Sequence, residues 1–159
     1  LDLSQYITKT GMQRLQKRIN ELLTERPEVI KAIAIAREFG DLSENAEYKA
    51  ARERQRAIDN EIDYLRCRSA KLQVIDTSEF PKDIVRFGSY CVAEDISNNE
   101  CICYHLVGAD ELNYYDEEGI QEVSVVSPIG RALLSKKIGE IAVVHAPMGE
   151  RHLKVIEIK

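Results

Sequence analysis

Two long helices folded back on each other, followed by a small α+β domain, make up the architecture this sequence predicts, and three observations carry it. Apolar residues recur at spacings of three and four across two stretches separated by one glycine turn. From Ser89 onward the texture changes to short alternating strands with turn residues between them. Charge divides in the same place: residues 1–79 carry 14 Lys+Arg against 14 Asp+Glu, residues 80–159 carry 8 against 13, and the net charge of -5 therefore lies in the second half. The fold class is α+β. It comprises a helical hairpin over residues 1–76, a polar joint at 77–83 within "DTSEFPKD", and a sheet domain over 84–159.

In the first helix Met12, Leu15, Ile19, Leu22, Arg26, Val29, Ile33 and Ala36 form a heptad seam with one charged interruption. Pro27 removes a backbone hydrogen bond inside this pattern and predicts a bend or a restart there. The seam resumes in the second helix at Tyr48, Ala51, Gln55, Ile58, Ile62, Leu65, Ser69 and Leu72. A short connection makes the two helices antiparallel neighbours, an α-helical coiled-coil hairpin. With roughly 27 to 30 residues per arm, it is a rod on the order of 40 to 45 Å long.

The tip of that rod is "REFGDLSENAEY", residues 37–48. Gly40 suits the left-handed conformation that ends a helix, Asp41 or Ser43 suits the cap of the next, and Asp41-x-x-Glu44 resembles a capping box. Capping alone asks for one cap and one acid, yet Glu38, Asp41, Glu44 and Glu47 crowd here at a cost in mutual repulsion. A long, thin rod is also an expensive way to hold a turn unless the turn must reach something. Beside the seam, Lys49, Arg52 and Arg56 form a basic stripe leading away from the acids. It either receives an anionic strand or pairs with Glu53 and acids of the opposite helix.

The second unit reads as an antiparallel sheet of five strands, "SYCVAEDI", "ECICYHLV", "EVSVV", "EIAVVHA" and "RHLKVIEI", with hairpin turns at residues 97–99 and 147–150. Between the third and fourth strands, "SPIGRALLSKKIG" predicts one short helix capped by Ser127, with Pro128 at its first position. Cys91, Cys101 and Cys103 share parity and are expected on one face of the sheet. With Cys67 they read as buried or half-buried free thiols, since Cys-x-Cys without clustered histidines is a poor zinc pattern. His105, His145 and His152 fall on different strands with no nucleophile at a motif spacing, so a catalytic triad has no support. Tyr114 and Tyr115 sit in an acidic loop, either anchoring a partner or leaving one tyrosine buried.

The acidic balance argues against a general nucleic-acid coat, so any nucleic-acid contact is local. No apolar run approaches the roughly 20 residues of a membrane span, and "LDLSQYITKTG" lacks the features of a signal peptide. A soluble, cytoplasmic protein with no membrane partner is expected.

"IAIARE", "GDLSENAEY" and "KAARE" together resemble the tip of the Gre transcript-cleavage factors of bacterial RNA polymerase. "ITKTGMQRLQKRINEL", "PEVI", "SPIGRALLSKKIGE" and "VVHAPMGE" extend that likeness over nearly the whole chain. The tip is more similar to the GreA subtype than to GreB. This resemblance implies an FKBP-like C-terminal domain that docks on the polymerase, and a coiled coil that enters its secondary channel. It assigns Asp41 and Glu44 as the residues that hold, jointly with the polymerase, a second Mg2+ and its attacking water. The polymerase then cuts its own backtracked RNA, and this protein is an accessory rather than an enzyme. Arg37, Ser43, Asn45, Tyr48, Lys49, Arg52 and Arg56 are implied to contact the nascent RNA 3′ end or the polymerase near the tip. Ser127 and Pro128 are implied at the docking face. A monomer is expected, and the resemblance implies DNA binding. The chain departs from the family's common pattern at "GADELNYYDEEG", at Ser135 where glycine is frequent, and at "ERHLK".

Two other readings compete. Relatives of this architecture inhibit the polymerase without cleavage, but an inhibitor need not keep Asp41 and Glu44 together with "SENAEY". An FKBP-like fold also suggests a prolyl isomerase, yet there is no tryptophan and few clustered aromatics to line its pocket.

Overall fold

The computed structural model describes residues 2–41 and 44–159. They divide into two compact units, residues 13–71 and residues 2–12 with 72–159.

The first unit is the helical hairpin. α1 (Lys9–Arg37) and α2 (Ala46–Lys71) enclose the seam, and all sixteen predicted seam positions are buried or half-buried. Leu15, Leu22 and Ile58 are fully buried, and each stabilises the pairing by roughly 1.5–3 kcal/mol relative to exposure. α1 runs through Pro27 as one helix, so of the two outcomes predicted there, a bend or a restart, the restart does not occur.

Ion pairs fix how the arms face each other. Arg18 Nε lies 2.6 Å from Glu61 and Arg54 Nε lies 2.6 Å from Glu25. Stepping seven residues up one helix means stepping seven down the other, which is the signature of an antiparallel register. Arg26, the charged interruption of the seam, reaches Asp59 at 2.7 Å and so keeps its guanidinium at the rim of the interface. Hydrogen bonds from Arg54 and Arg18 hold the Glu25 and Glu61 carboxyls below their ordinary titration range. Being largely solvated, these pairs set register more than stability.

In the second unit, β1 (Tyr6–Thr8) pairs in parallel with β2 (Gln73–Ile75), so the start of the chain and residues 72–76 pack with the sheet domain. Neither strand stands out in the sequence, because three residues are too few to show alternation. Five further strands follow: β3 (Tyr90–Asp95), β4 (Glu100–Val107), β5 (Ile120–Ser124), β6 (Ile141–Ala146) and β7 (Gly149–Ile158), in the spatial order β5-β4-β3-β7-β6. All five match predicted strands. The sheet is not wholly antiparallel, however, since β4 and β5 run parallel. Residues 108–119 between them, including a 3-10 turn at Ala109–Tyr114, form a crossover long enough for that arrangement.

α3 (Pro128–Leu133) begins as predicted, with Ser127 Oγ accepting from the Gly130 amide at 3.1 Å. Leu133 is fully buried and belongs to the same core cluster as Tyr104, Leu106, Val125 and Val155. Ser135, two residues past the helix, has φ of 68°, the left-handed region that favours glycine. The shared-parity expectation for the cysteines fails for a geometric reason. Asp95 pairs with Glu100, so odd positions of β3 share a face with even positions of β4, and Cys91 lies beside Tyr104 in the core while Cys101 and Cys103 face the other way. All four thiols are free, but Cys67 and Cys101 are exposed rather than buried.

One buried acid fastens this unit together. Glu111 is fully buried and accepts hydrogen bonds from the Thr8 amide at 2.8 Å, the Gly108 amide at 3.0 Å and the Tyr115 hydroxyl at 2.9 Å, and also from the Thr8 hydroxyl. The same Thr8 hydroxyl accepts from the Gly11 amide at 3.0 Å, capping α1. Gly11 must be glycine, because a Cβ there would collide with the Glu111 carboxylate.

Candidate functional site

α1 ends in tightened turns, with the Glu38 amide donating to Ile35 O at 3.1 Å and the Phe39 amide to Ala36 O at 3.2 Å. Gly40 follows at φ 109°, as predicted for the residue that ends this helix. α2 starts at Ala46, and its cap is Asn45. Asn45 Oδ1 accepts from the Tyr48 amide at 3.0 Å, and its Nδ2 donates to Ala36 O at 2.7 Å. One side chain thus satisfies an orphan donor of α2 and gives the Ala36 carbonyl, which already accepts from Phe39, a second donor from across the turn.

This displaces the predicted capping box. With Ala46 as the first helical residue, the third is Tyr48, so Asp41 and Glu44 both precede the cap and Glu44 cannot occupy the reciprocal position. The alternative cap, Ser43, lies outside the described residues.

Asp41, Glu44 and Glu47 line one open hollow with Phe39, Asn45 and Ala46. All three acids are exposed, as is Phe39 at 71%. Of the four crowded acids, the structure gathers these three, while Glu38 stands outside the hollow's lining. Carboxylate oxygens facing an open, wet hollow are the donor set that suits a hard cation such as Mg2+, which keeps several of its waters. Among the described residues, this fit comes from ligand type and exposure.

Arg37, at the end of α1, places its guanidinium 5.9 Å from the centre of the Tyr48 ring on α2, bringing together two predicted contact residues from opposite arms. Lys49 and Arg56 are exposed, and Arg52 donates to Gln55 Oε1 at 3.1 Å. Among the described residues none of the three stripe cations forms an ion pair, whereas Arg18, Arg26 and Arg54 all do. The pairing predicted with Glu53 and the opposite helix is therefore absent from the described residues.

Ser127 and Pro128 lie in the other unit, at an apolar hollow of about 360 Å3 that Leu112, Ile129, Val144 and Pro147 also line. Ser127 is occupied structurally, capping α3 and donating to Ser124 O at 2.6 Å. The cap role of Asn45 and the Glu111 cluster were missed in the sequence. An asparagine immediately before "AEY" was the available signal for the first.

Replacing Asn45 with Ala removes both hydrogen bonds and is expected to lower hairpin stability by about 1–2 kcal/mol. Urea unfolding followed by helical circular dichroism measures it, with Asn45→Asp retaining the acceptor and so recovering part of the loss.

The family model described as "Transcription elongation factor, N-terminal" matches residues 5–74, and "Transcription elongation factor, GreA/GreB, C-term" matches residues 80–159. The chain is 42% identical over 153 residues to the transcription elongation factor GreA of Nitratidesulfovibrio vulgaris (strain DP4), covering 96% of this chain and 91% of that protein. It is 41% identical over 155 residues to GreA of Methylococcus capsulatus, covering 96% of each. Among solved structures, GreA factor homolog 1 of Thermus thermophilus is similar at 25% identity, with a TM-score of 0.42 and 97% of each chain covered.

Proposed function

The chain belongs to the GreA/GreB family of transcription elongation factors, and from that premise we propose that it enters the secondary channel of bacterial RNA polymerase and stimulates the polymerase's own cleavage of backtracked nascent RNA. The observation that carries this reading is the hollow at the hairpin tip. Asp41 and Glu44 face it together, exposed, while a different residue, Asn45, does the capping.

Asp41 and Glu44 are the residues that would hold a Mg2+ ion shared with the polymerase. Two carboxylates bind this ion weakly in water, so the polymerase must supply further ligands. When bound, such an ion activates water and stabilises charge on the phosphate under attack. The hairpin's own contribution is to carry the acids at the end of a rigid support and present them to that centre. Along the rod, Lys49, Arg52 and Arg56, with Arg37 across the turn, offer phosphate contacts to the displaced RNA 3′ end without reading its sequence. The sheet unit, FKBP-like by resemblance, is assigned to docking, with the apolar hollow at Ser127 and Pro128 as its contact surface. In this reading the factor is a monomer.

The test is incubation with a stalled elongation complex and Mg2+, followed by sizing of the RNA. Short 3′ fragments are expected. Unchanged RNA with slowed elongation would instead identify a channel-binding inhibitor of the same architecture.

Replacing Lys49 and Arg56 together with Ala is expected to leave the melting curve near the parent's, because both side chains are solvated and outside the seam. The salt dependence of productive binding should flatten by about one unit of log–log slope per lost phosphate contact. A stable variant that cleaves with the parent's salt profile would remove the stripe from the RNA path.

A further inference from the structure

The sheet unit carries a second cluster that the proposed function does not use. We propose that His105, Glu117 and Glu122 form a binding site for one divalent transition-metal ion of the zinc class. One ligand atom from each residue lies within 4.8 Å of the others.

The register explains how they meet. His105 on β4 pairs with Glu122 on β5 and with Tyr90 on β3, so all three project from the sheet face opposite Tyr104 and Leu106 in the core. The β4–β5 crossover returns over that face and brings Glu117 with it. His105 is consequently only 4% exposed.

Three observations point to a cation. First, His105 Nδ1 and Glu117 Oε1 are 3.5 Å apart. That is longer than a good hydrogen bond, and close to the roughly 3.4 Å separating two ligands of a tetrahedral ion with bonds of about 2.0–2.1 Å. Second, Glu122 Oε1 is fully shielded and has no hydrogen-bond partner among the described residues. A buried carboxylate oxygen left in this state is costly, and a cation relieves it. Third, the surroundings hold the ligands in place as outer partners of a metal do. The Tyr90 hydroxyl lies 3.1 Å from both oxygens of Glu117, and its ring stacks on His105 at 4.0 Å and 6°. Tyr115 closes the other side edge-on at 5.0 Å, itself anchored by Glu111.

The donor set decides the class of ion. One imidazole with two carboxylates suits Zn2+ and its neighbours, whereas Mg2+ and Ca2+ prefer oxygen alone. This site is therefore chemically distinct from the oxygen-only hollow at the hairpin tip, and it stands or falls independently of transcript cleavage.

The full chain, with Cys67 and Cys101 changed to Ser so that exposed thiols do not compete, is titrated with Zn2+ by calorimetry. The expected result is one ion per chain and a rise in thermal midpoint with Zn2+. Glu122→Gln should bind at least tenfold more weakly, and so should Glu117→Gln, whose side chain is partly exposed and whose fold is the safer of the two. His145→Asn with His152→Asn, which removes the exposed histidines flanking Glu150 at 3.5 and 3.6 Å, should leave that affinity unchanged. The assignment is overturned by an absence of saturable binding, by binding that depends on His145 and His152 instead, or by Mg2+ competing equally well.

Discussion

Asp41→Asn and Glu44→Gln are each expected to leave the hairpin folded and to remove most of the stimulation of transcript cleavage. The structure sharpens this expectation, because α2 is capped by Asn45 and both acids precede that cap. Amide replacements should then shift stability by less than about 0.5 kcal/mol, as for surface changes in general. Metal ligation is less tolerant, since a neutral amide is a much poorer Mg2+ ligand than a carboxylate. Loss of cleavage on the order of 100-fold, about 2.7 kcal/mol of barrier, is expected for each variant. Raising Mg2+ should restore part of it. Circular dichroism checks the fold, competition with the parent checks polymerase binding, and RNA sizing checks cleavage. Variants that fold, bind and cleave like the parent would show that the acids are bystanders.

The second large effect concerns stability. Glu111→Ala strands the buried amides of Thr8 and Gly108 and opens a hole, and it should cost about 3–5 kcal/mol in urea unfolding. Glu111→Gln, which still accepts and nearly fills the space, should cost less. Gly11→Ala supplies a sign test. Alanine normally stabilises a helix interior by about 1 kcal/mol over glycine, but here the added methyl meets the Glu111 carboxylate and the change should destabilise. Combined with Glu111→Ala, the Gly11→Ala penalty should shrink, because the obstructing group has gone. A penalty of equal size in both backgrounds would separate Gly11 from the acid.

The helical seams were legible because a heptad leaves a mark at every turn, and Leu15, Leu22, Ile58 and Ile62 are buried where the spacing placed them. The five longer strands and the Ser127 cap were legible for the same reason, that their signals are local. What the sequence hid depends on register or on distant partners. Cys91 parted from Cys101 and Cys103 because a four-residue turn sets which parity faces the core. The parallel pairing of β4 with β5, and of β1 with β2, joins segments whose adjacency no spacing announces. Glu111 looks like one surface acid among several until Thr8, 103 positions away in the chain, arrives beside it. At the tip, the acids were evident from their crowding, but the exact start of α2 decided which residue caps it, and element ends are the least legible feature of a sequence. Ser135 is a partial case: its departure from glycine was visible, and its φ of 68° shows why glycine is favoured there.

The opposed ion pairs, Arg18 with Glu61 and Glu25 with Arg54, make the hairpin a ruler graduated in heptads. Removing one residue from a single arm would rotate everything beyond it by about 100° and put its seam out of phase with the other arm. Removing seven from each arm would keep every contact in phase and shorten the rod by about 10 Å. The reach of the tip is therefore quantised, adjustable in phase only by paired steps on both helices.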